Sequence, residues 1–135
     1  MHIQQVVKRK TIAITFSQKF EELLLNYQAP HISLSHDLET AAQNGLSRLN
    51  ELEDVRDLKR VERIKDLIEK TNQLSNMSSS YFTQWHLNIS EDLLDEIELL
   101  ILTHGEDLIA LGLKDSMPGT VLVLLATAEL TATLH

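Results

Sequence analysis

The chain has 135 residues, a net charge of −8 and no cysteine. A length of this order suits one domain, 1–135, that buries about two-thirds of the surface its unfolded chain exposes. The missing cysteines exclude disulfides, thiolate zinc sites and thiol catalysis, and the negative charge opposes general affinity for nucleic acid. Aromatic residues make up 4% of the chain, and four glycines and two prolines are few for a sandwich or barrel of many turns. The expected class is therefore all-α, a compact bundle of four to six helices with a short strand or hairpin at the N-terminus.

The opening MHIQQVVKRK has its basic cluster after the first apolar residues and no long apolar run behind it. Neither a signal peptide nor an N-terminal anchor is expected, and the expected location is cytoplasmic. Residues 2 to 16 fit two periods, because Ile12, Ile14 and Phe16 alternate while Ile3, Val6, Val7, Lys10 and Ile14 match helical spacing. The β-branched Thr11, Ile12, Ile14 and Thr15 favour extended structure, which can pair with another chain.

Ser17 suits the N-cap of a helix running to about Tyr27, with Phe20, Leu23, Leu24 and Tyr27 on one face. Pro30 ends it, and Ser35, with Asp37 and Glu39 in the following turn, starts the next. From Leu46 to Leu67 an apolar residue recurs every third position. At ~100° per residue such a row winds around a straight helix, so no single face can bury it. Either the helix breaks near Asn50 to Asp54, or one long helix meets different partners along its length.

The stretch Asp54 to Ser75 sorts its side chains into bands: Leu58, Val61, Ile64 and Ile68 on one side; Arg56, Lys59, Arg60, Arg63 and Lys70 on another; Glu62, Asp66 and Glu69 between them. Residues 76–80, Asn-Met-Ser-Ser-Ser, read as a linker between two helical halves. Tyr81, Phe82 and Trp85 follow as an aromatic anchor. Ser90 with Glu91 and Asp92 then starts a helix with Leu93, Leu94, Ile97, Leu100 and Ile101 on one face and Glu91, Asp95 and Glu98 on another. His104-Gly105 reads as its C-terminal cap, leaving a short helix before Gly112. Asp115 to Gly119 is turn chemistry that also suits the start of a final helix, apolar nearly all round and too short to span a membrane.

Catalytic patterns are missing from this framework. No two histidines have the i, i+4 spacing of a ligand pair, no HExxH or GxSxG occurs, and the glycines are scattered singly. The carboxylate pairs Glu91/Asp95 and Asp92/Glu96 sit one turn apart, where solvation is their ordinary state. A non-enzymatic protein without cofactor or metal is expected.

Two surfaces remain as interaction candidates. The cations Arg56, Lys59, Arg60, Arg63 and Lys70 can follow several phosphates of a strand, with the aromatic anchor stacking bases, or can meet a protein partner. The acidic face Glu91, Asp95 and Glu98 repeats the spacing of the basic one, so the two can pair within a monomer or between copies in a head-to-tail assembly. The expected role is a protein-interaction or assembly subunit, by self-association or with a protein partner. In size, helicity and basic face the chain also resembles small subunits of CRISPR effector complexes, an architectural likeness that implies contact with a nucleic-acid backbone. Its acidity equally suits an antitoxin or inhibitor of a nucleic-acid-binding protein.

Overall fold

The computed structural model describes residues 8–27, 33–51, 58–75 and 82–132. In chain order they form β1 (Arg9–Ser17), α1 (Gln18–Leu25), α2 (Leu34–Glu51), α3 (Leu58–Ser75), β2 (Phe82–Ser90), α4 (Glu91–Ala110) and α5 (Pro118–Ala132). The molecule is mostly helical, 73% of the described residues, with a two-stranded antiparallel sheet. The expected N-terminal strand is β1. Its partner is β2, from Arg9 opposite Ser90 to Ser17 opposite Phe82, with α1, α2 and α3 between them in sequence.

The stretch between the linker and α4, read only as an aromatic anchor, is the strand β2. Trp85, Leu87 and Ile89 alternate with exposed His86 and Asn88, the period of a half-buried strand. Ile12 lies opposite Leu87 and Ile14 opposite Trp85, so these side chains share the face turned to the core.

Both edges of this small sheet are closed locally. The Glu91 N–H donates to the Lys8 carbonyl at 2.9 Å, and the antiparallel alternation then turns Ala13, Asn88 and Ser90 away from the strand pair. A β-carbon at Gly119, in the first turn of α5, would lie 2.9 Å from the Ala13 carbonyl oxygen, so that turn covers the β1 edge. On the β2 edge, the Ser90 N–H donates to Glu39 Oε1. Arg9 Nη2 donates to that same oxygen at 2.7 Å and to the Asn88 carbonyl at 2.8 Å. Glu39 thus ties α2 to both strands from a largely buried position.

The last helix is the centre of the core, as its all-round apolar sequence predicts. Val121, Leu122, Val123, Leu125 and Ala126 have 0% exposure, with Phe20, Leu24, Leu38, Ala42, Ile89 and Ile97 packed in the same cluster. Helix α2 crosses α5 at Gly45, where an added β-carbon would fall 1.8 Å from the Leu125 carbonyl oxygen. The second polar link is at the far end of α5, where Arg48 Nε meets Glu129 Oε2 at 2.7 Å.

The repeat from Leu46 to Leu67 is divided between α2 and α3, with 52–57 outside the described residues. Helix α2 buries Leu38, Ala41 and Ala42 in the main core. Helix α3 places Ile64, Leu67 and Ile68 in a smaller cluster with Leu108, Leu111, Leu113 and Leu124. The 76–80 linker also lies outside the described residues.

Helix ends follow the capping expectations in part. Ser17 Oγ accepts from the Phe20 N–H at 3.3 Å. The cap of α2 is Ser33, whose Oγ accepts from the His36 N–H at 3.1 Å, two residues before the expected Ser35. Gly105 is not a helix stop. It lies inside α4, buried against Ser116, and α4 continues to Ala110. The stop comes at Gly112, with φ of 113°. Its N–H donates to the Ile109 carbonyl at 3.0 Å and the Leu113 N–H to the Leu108 carbonyl at 3.0 Å, the paired bonds of a Schellman motif. Asn72 of α3 braces this turn by donating to the Gly112 carbonyl at 2.8 Å.

Two substitutions test these supports. Gly45→Ala forces a methyl group into the α2–α5 crossing and should lower unfolding stability by about 1–3 kcal/mol in urea titration. Glu39→Ala leaves the buried Ser90 N–H without its acceptor and should cost about 1–3 kcal/mol by the same measurement.

Candidate interaction surface

The basic row lies partly outside the described region. Arg56 falls outside the described residues, and Lys59 and Arg60 stand in the first turn of α3 with side chains beyond the description. Arg63 and Lys70 are exposed and lie one above the other on the helix, seven residues or about 10 Å apart. They occupy a flank of α3, because the core direction is set by Ile64, Ile68 and Thr71. Exposed Glu62, Asp66 and Glu69 run alongside them. Neither Glu62/Lys65 nor Asp66/Lys70 forms an intrahelical ion pair.

On α4, Glu91 is half-buried and Asp95 and Glu98 are exposed. In the described part of the basic row, Arg63 and Lys70 do not meet the acidic face. Helix α3 packs near the C-terminal end of α4 at Leu108 and Leu111, about 20 Å along the helix from Asp95. Among the described residues Asp95 and Glu98 form no ion pair with Arg63 or Lys70.

A third element of the surface was not among the expected site residues. Leu99, Leu102 and Ile109 are 63%, 84% and 47% exposed, on the side of α4 opposite Leu93, Ile97 and Leu108. At ~100° per residue they fall within about 80° of arc, in line with Asp95 and beside Glu98 and Glu106. These three are absent from the face drawn through Leu93, Leu94, Ile97, Leu100 and Ile101, but so is Leu108, which packs in the smaller core cluster, so spacing alone does not mark them as exposed. Met117, 66% exposed, flanks the same stripe, because its neighbour Ser116 lies against Gly105 between Leu102 and Ile109.

The aromatic group does not form a base-stacking platform in the described region. Trp85 lies nearly parallel to Phe16, ring centroids 5.8 Å apart, and Phe16 is buried and tilted against Phe20. That uses one face of the Trp85 ring in the core. Phe82 is the first residue of β2, with its side chain beyond the description, and Tyr81 falls outside the described residues.

Titratable chemistry concentrates at the other pole of α5. Asn44 Nδ2 donates to Tyr27 Oη at 2.8 Å, beside the Arg48–Glu129 pair. Burial pushes the Tyr27 phenol above its ordinary value and the Glu129 carboxylate adds to the rise, while the Asn44 hydrogen bond opposes it. This cluster fastens α1 to α2 and α5. His104 Nδ1 stands 3.9 Å from Asp107 Oδ2 inside α4, so the expected His104 capping role gives way to an ordinary side-chain contact within the helix. Among the described residues no group of three or more His, Asp or Glu side chains is placed to hold a metal ion, and no helix is long and apolar enough to cross a membrane.

Comparison with protein-family models, curated proteins and solved structures finds no match for this chain.

The raised Tyr27 value has a measurable sign. The folded chain holds the phenol proton more tightly, so above pH 10.0 the unfolded chain ionises first and stability falls. Tyr27→Phe should be less stable than the natural protein at neutral pH, with the gap narrowing as pH rises past 10 in urea titrations at matched pH.

Proposed function

We propose that the protein is a non-enzymatic interaction subunit whose binding surface is the outward face of α4. The observation that carries this reading is the exposed row Leu99, Leu102 and Ile109 on a helix whose other side is fully committed to the core. A lone exposed leucine needs no explanation, but an aligned row with an acidic margin is the composition of a docking surface. Full burial of a wholly exposed side chain of this kind contributes about 1.5–3 kcal/mol, and Ile109, already half covered, gains correspondingly less.

A second reading, contact with a nucleic-acid backbone, has the exposed Arg63 and Lys70 in its favour. Their acidic neighbours on α3 and the carboxylates of α4 weigh against it, since the local field is mixed and the distant field negative.

Paired substitutions separate the readings. Leu102→Glu with Ile109→Glu should change unfolding stability by less than about 0.5 kcal/mol, because both side chains are solvent-facing. The same pair should abolish association with the protein that co-purifies with the untagged chain. Arg63→Glu with Lys70→Glu should leave that association intact; loss of single-stranded oligonucleotide binding in this second variant alone would favour the nucleic-acid reading.

A further inference from the structure

We propose that the outward face of α4 receives an amphipathic helix of a different protein, with an apolar seam flanked by lysine and arginine. This rests on the reading of α4 as the binding surface and adds the chemical class of the partner.

The shape of the face favours a helix. Leu99 to Ile109 spans about 15 Å of axis, three turns. Leu102, Gly105, Glu106 and Ile109 stand at i, i+3, i+4 and i+7, the four corners of the hole into which a neighbouring helix inserts one side chain. Gly105 leaves one corner without a side chain, and Ser116 lies against it. Ser116 already closes the Gly105 corner, so an apolar side chain of the partner helix packs on the exposed ridge of Leu99, Leu102 and Ile109.

The charge on the face selects the flanks of that helix. Helix α4 carries Glu91, Asp92, Asp95, Glu96, Glu98, Glu106 and Asp107 and no lysine or arginine. These seven carboxylates compare with a net charge of −8 for the whole chain. Asp95, Glu98 and Glu106 border the apolar row and are exposed. Cations on the partner meet opposite charge along the whole seam, while acidic helices are repelled.

A second copy of this chain is a poor occupant. Two α4 faces set together oppose carboxylate to carboxylate, and the exposed Arg63 and Lys70 of α3 alternate with exposed Glu62, Asp66 and Glu69. No apolar row on α3 answers Leu99, Leu102 and Ile109, because its described exposed residues are polar or charged.

The test uses the 135-residue chain and two synthetic helical peptides of about 18 residues, both with leucine at a and d positions, one with lysine and the other with glutamate at e and g. Fluorescence anisotropy should show binding of the lysine peptide, at least about tenfold weaker binding of the glutamate peptide, and loss of the difference as salt rises from about 0.05 to 0.5 M. Leu102→Glu should weaken the lysine peptide by at least about tenfold. Asp95→Lys, Glu98→Lys and Glu106→Lys together should reverse the preference toward the glutamate peptide, with an unchanged far-ultraviolet circular dichroism spectrum. Equal binding of both peptides, no binding of either, or indifference to Leu102→Glu overturns the proposal. So does a dimer in light scattering that Leu102→Glu dissolves, which makes a second copy the occupant. If instead Leu102→Glu with Ile109→Glu leaves the co-purifying partner bound, the underlying reading of α4 fails as well; its loss without any peptide charge preference removes the partner class alone.

Discussion

A helix with no polar side must be surrounded, and that requirement on α5 organises the molecule. Its residues from Val121 to Ala126 are buried on every side, so α2, α3, α4 and β1 all pack against it. The tightest of these contacts is the crossing with α2, where Gly45 lets one backbone reach another without an intervening side chain. That proximity brings the rest of α2 into range. Glu39 reaches the strands at one end of α2 and Arg48 reaches Glu129 near the other, so two polar links flank an apolar crossing. Hydrophobic burial supplies the drive, while the buried carboxylates, each with a cationic partner, fix the orientation of α2.

Helical content, the capping serine at 17, the start at Pro118 and the central place of the last helix follow from local pattern and composition. The strand β2 does not, because Tyr81, Phe82 and Trp85 drew attention as an aromatic group while the weaker alternation of Trp85, Leu87 and Ile89 defined the element. Strand pairing across three helices has no local signature, and neither does a glycine placed for a backbone crossing. Gly105 shows the converse error. A glycine after histidine resembles a helix end, but here its bare face accepts Ser116, and the left-handed residue is Gly112. For the surface, the acidic positions on α4 were legible from spacing. The exposed leucines among them were not, since apolar residues in sequence read as core until the packing shows which side of the helix is already occupied.

The two charged helices differ in kind. Helix α3 mixes signs along its exposed side and sends its apolar side into a small cluster closed by the turn after α4. Helix α4 has one sign of charge and apolar side chains on both of its faces. A helix apolar on one face is complete when docked; one with apolar residues on opposite faces has a second contact to make. Under the proposed reading, electrostatics acts mainly on the choice and approach rate of a partner, with affinity carried by the apolar row.

The pairing of β1 with β2 bears on how the chain is made. Every pair in that sheet, from Ser17 with Phe82 to Arg9 with Ser90, joins residues 65 to 81 positions apart, which raises contact order and delays sheet formation relative to the helices. During synthesis at about 5–20 residues per second, the alternating strand Ile12, Ile14 and Phe16 waits on the order of 4 to 15 seconds for its partner strand to be translated. Its covering helix α5 arrives later still. Over that interval the nascent chain presents an apolar strand with neither edge closed, the state in which a small protein depends on its own early helices, or on a chaperone, to avoid pairing with a neighbouring chain.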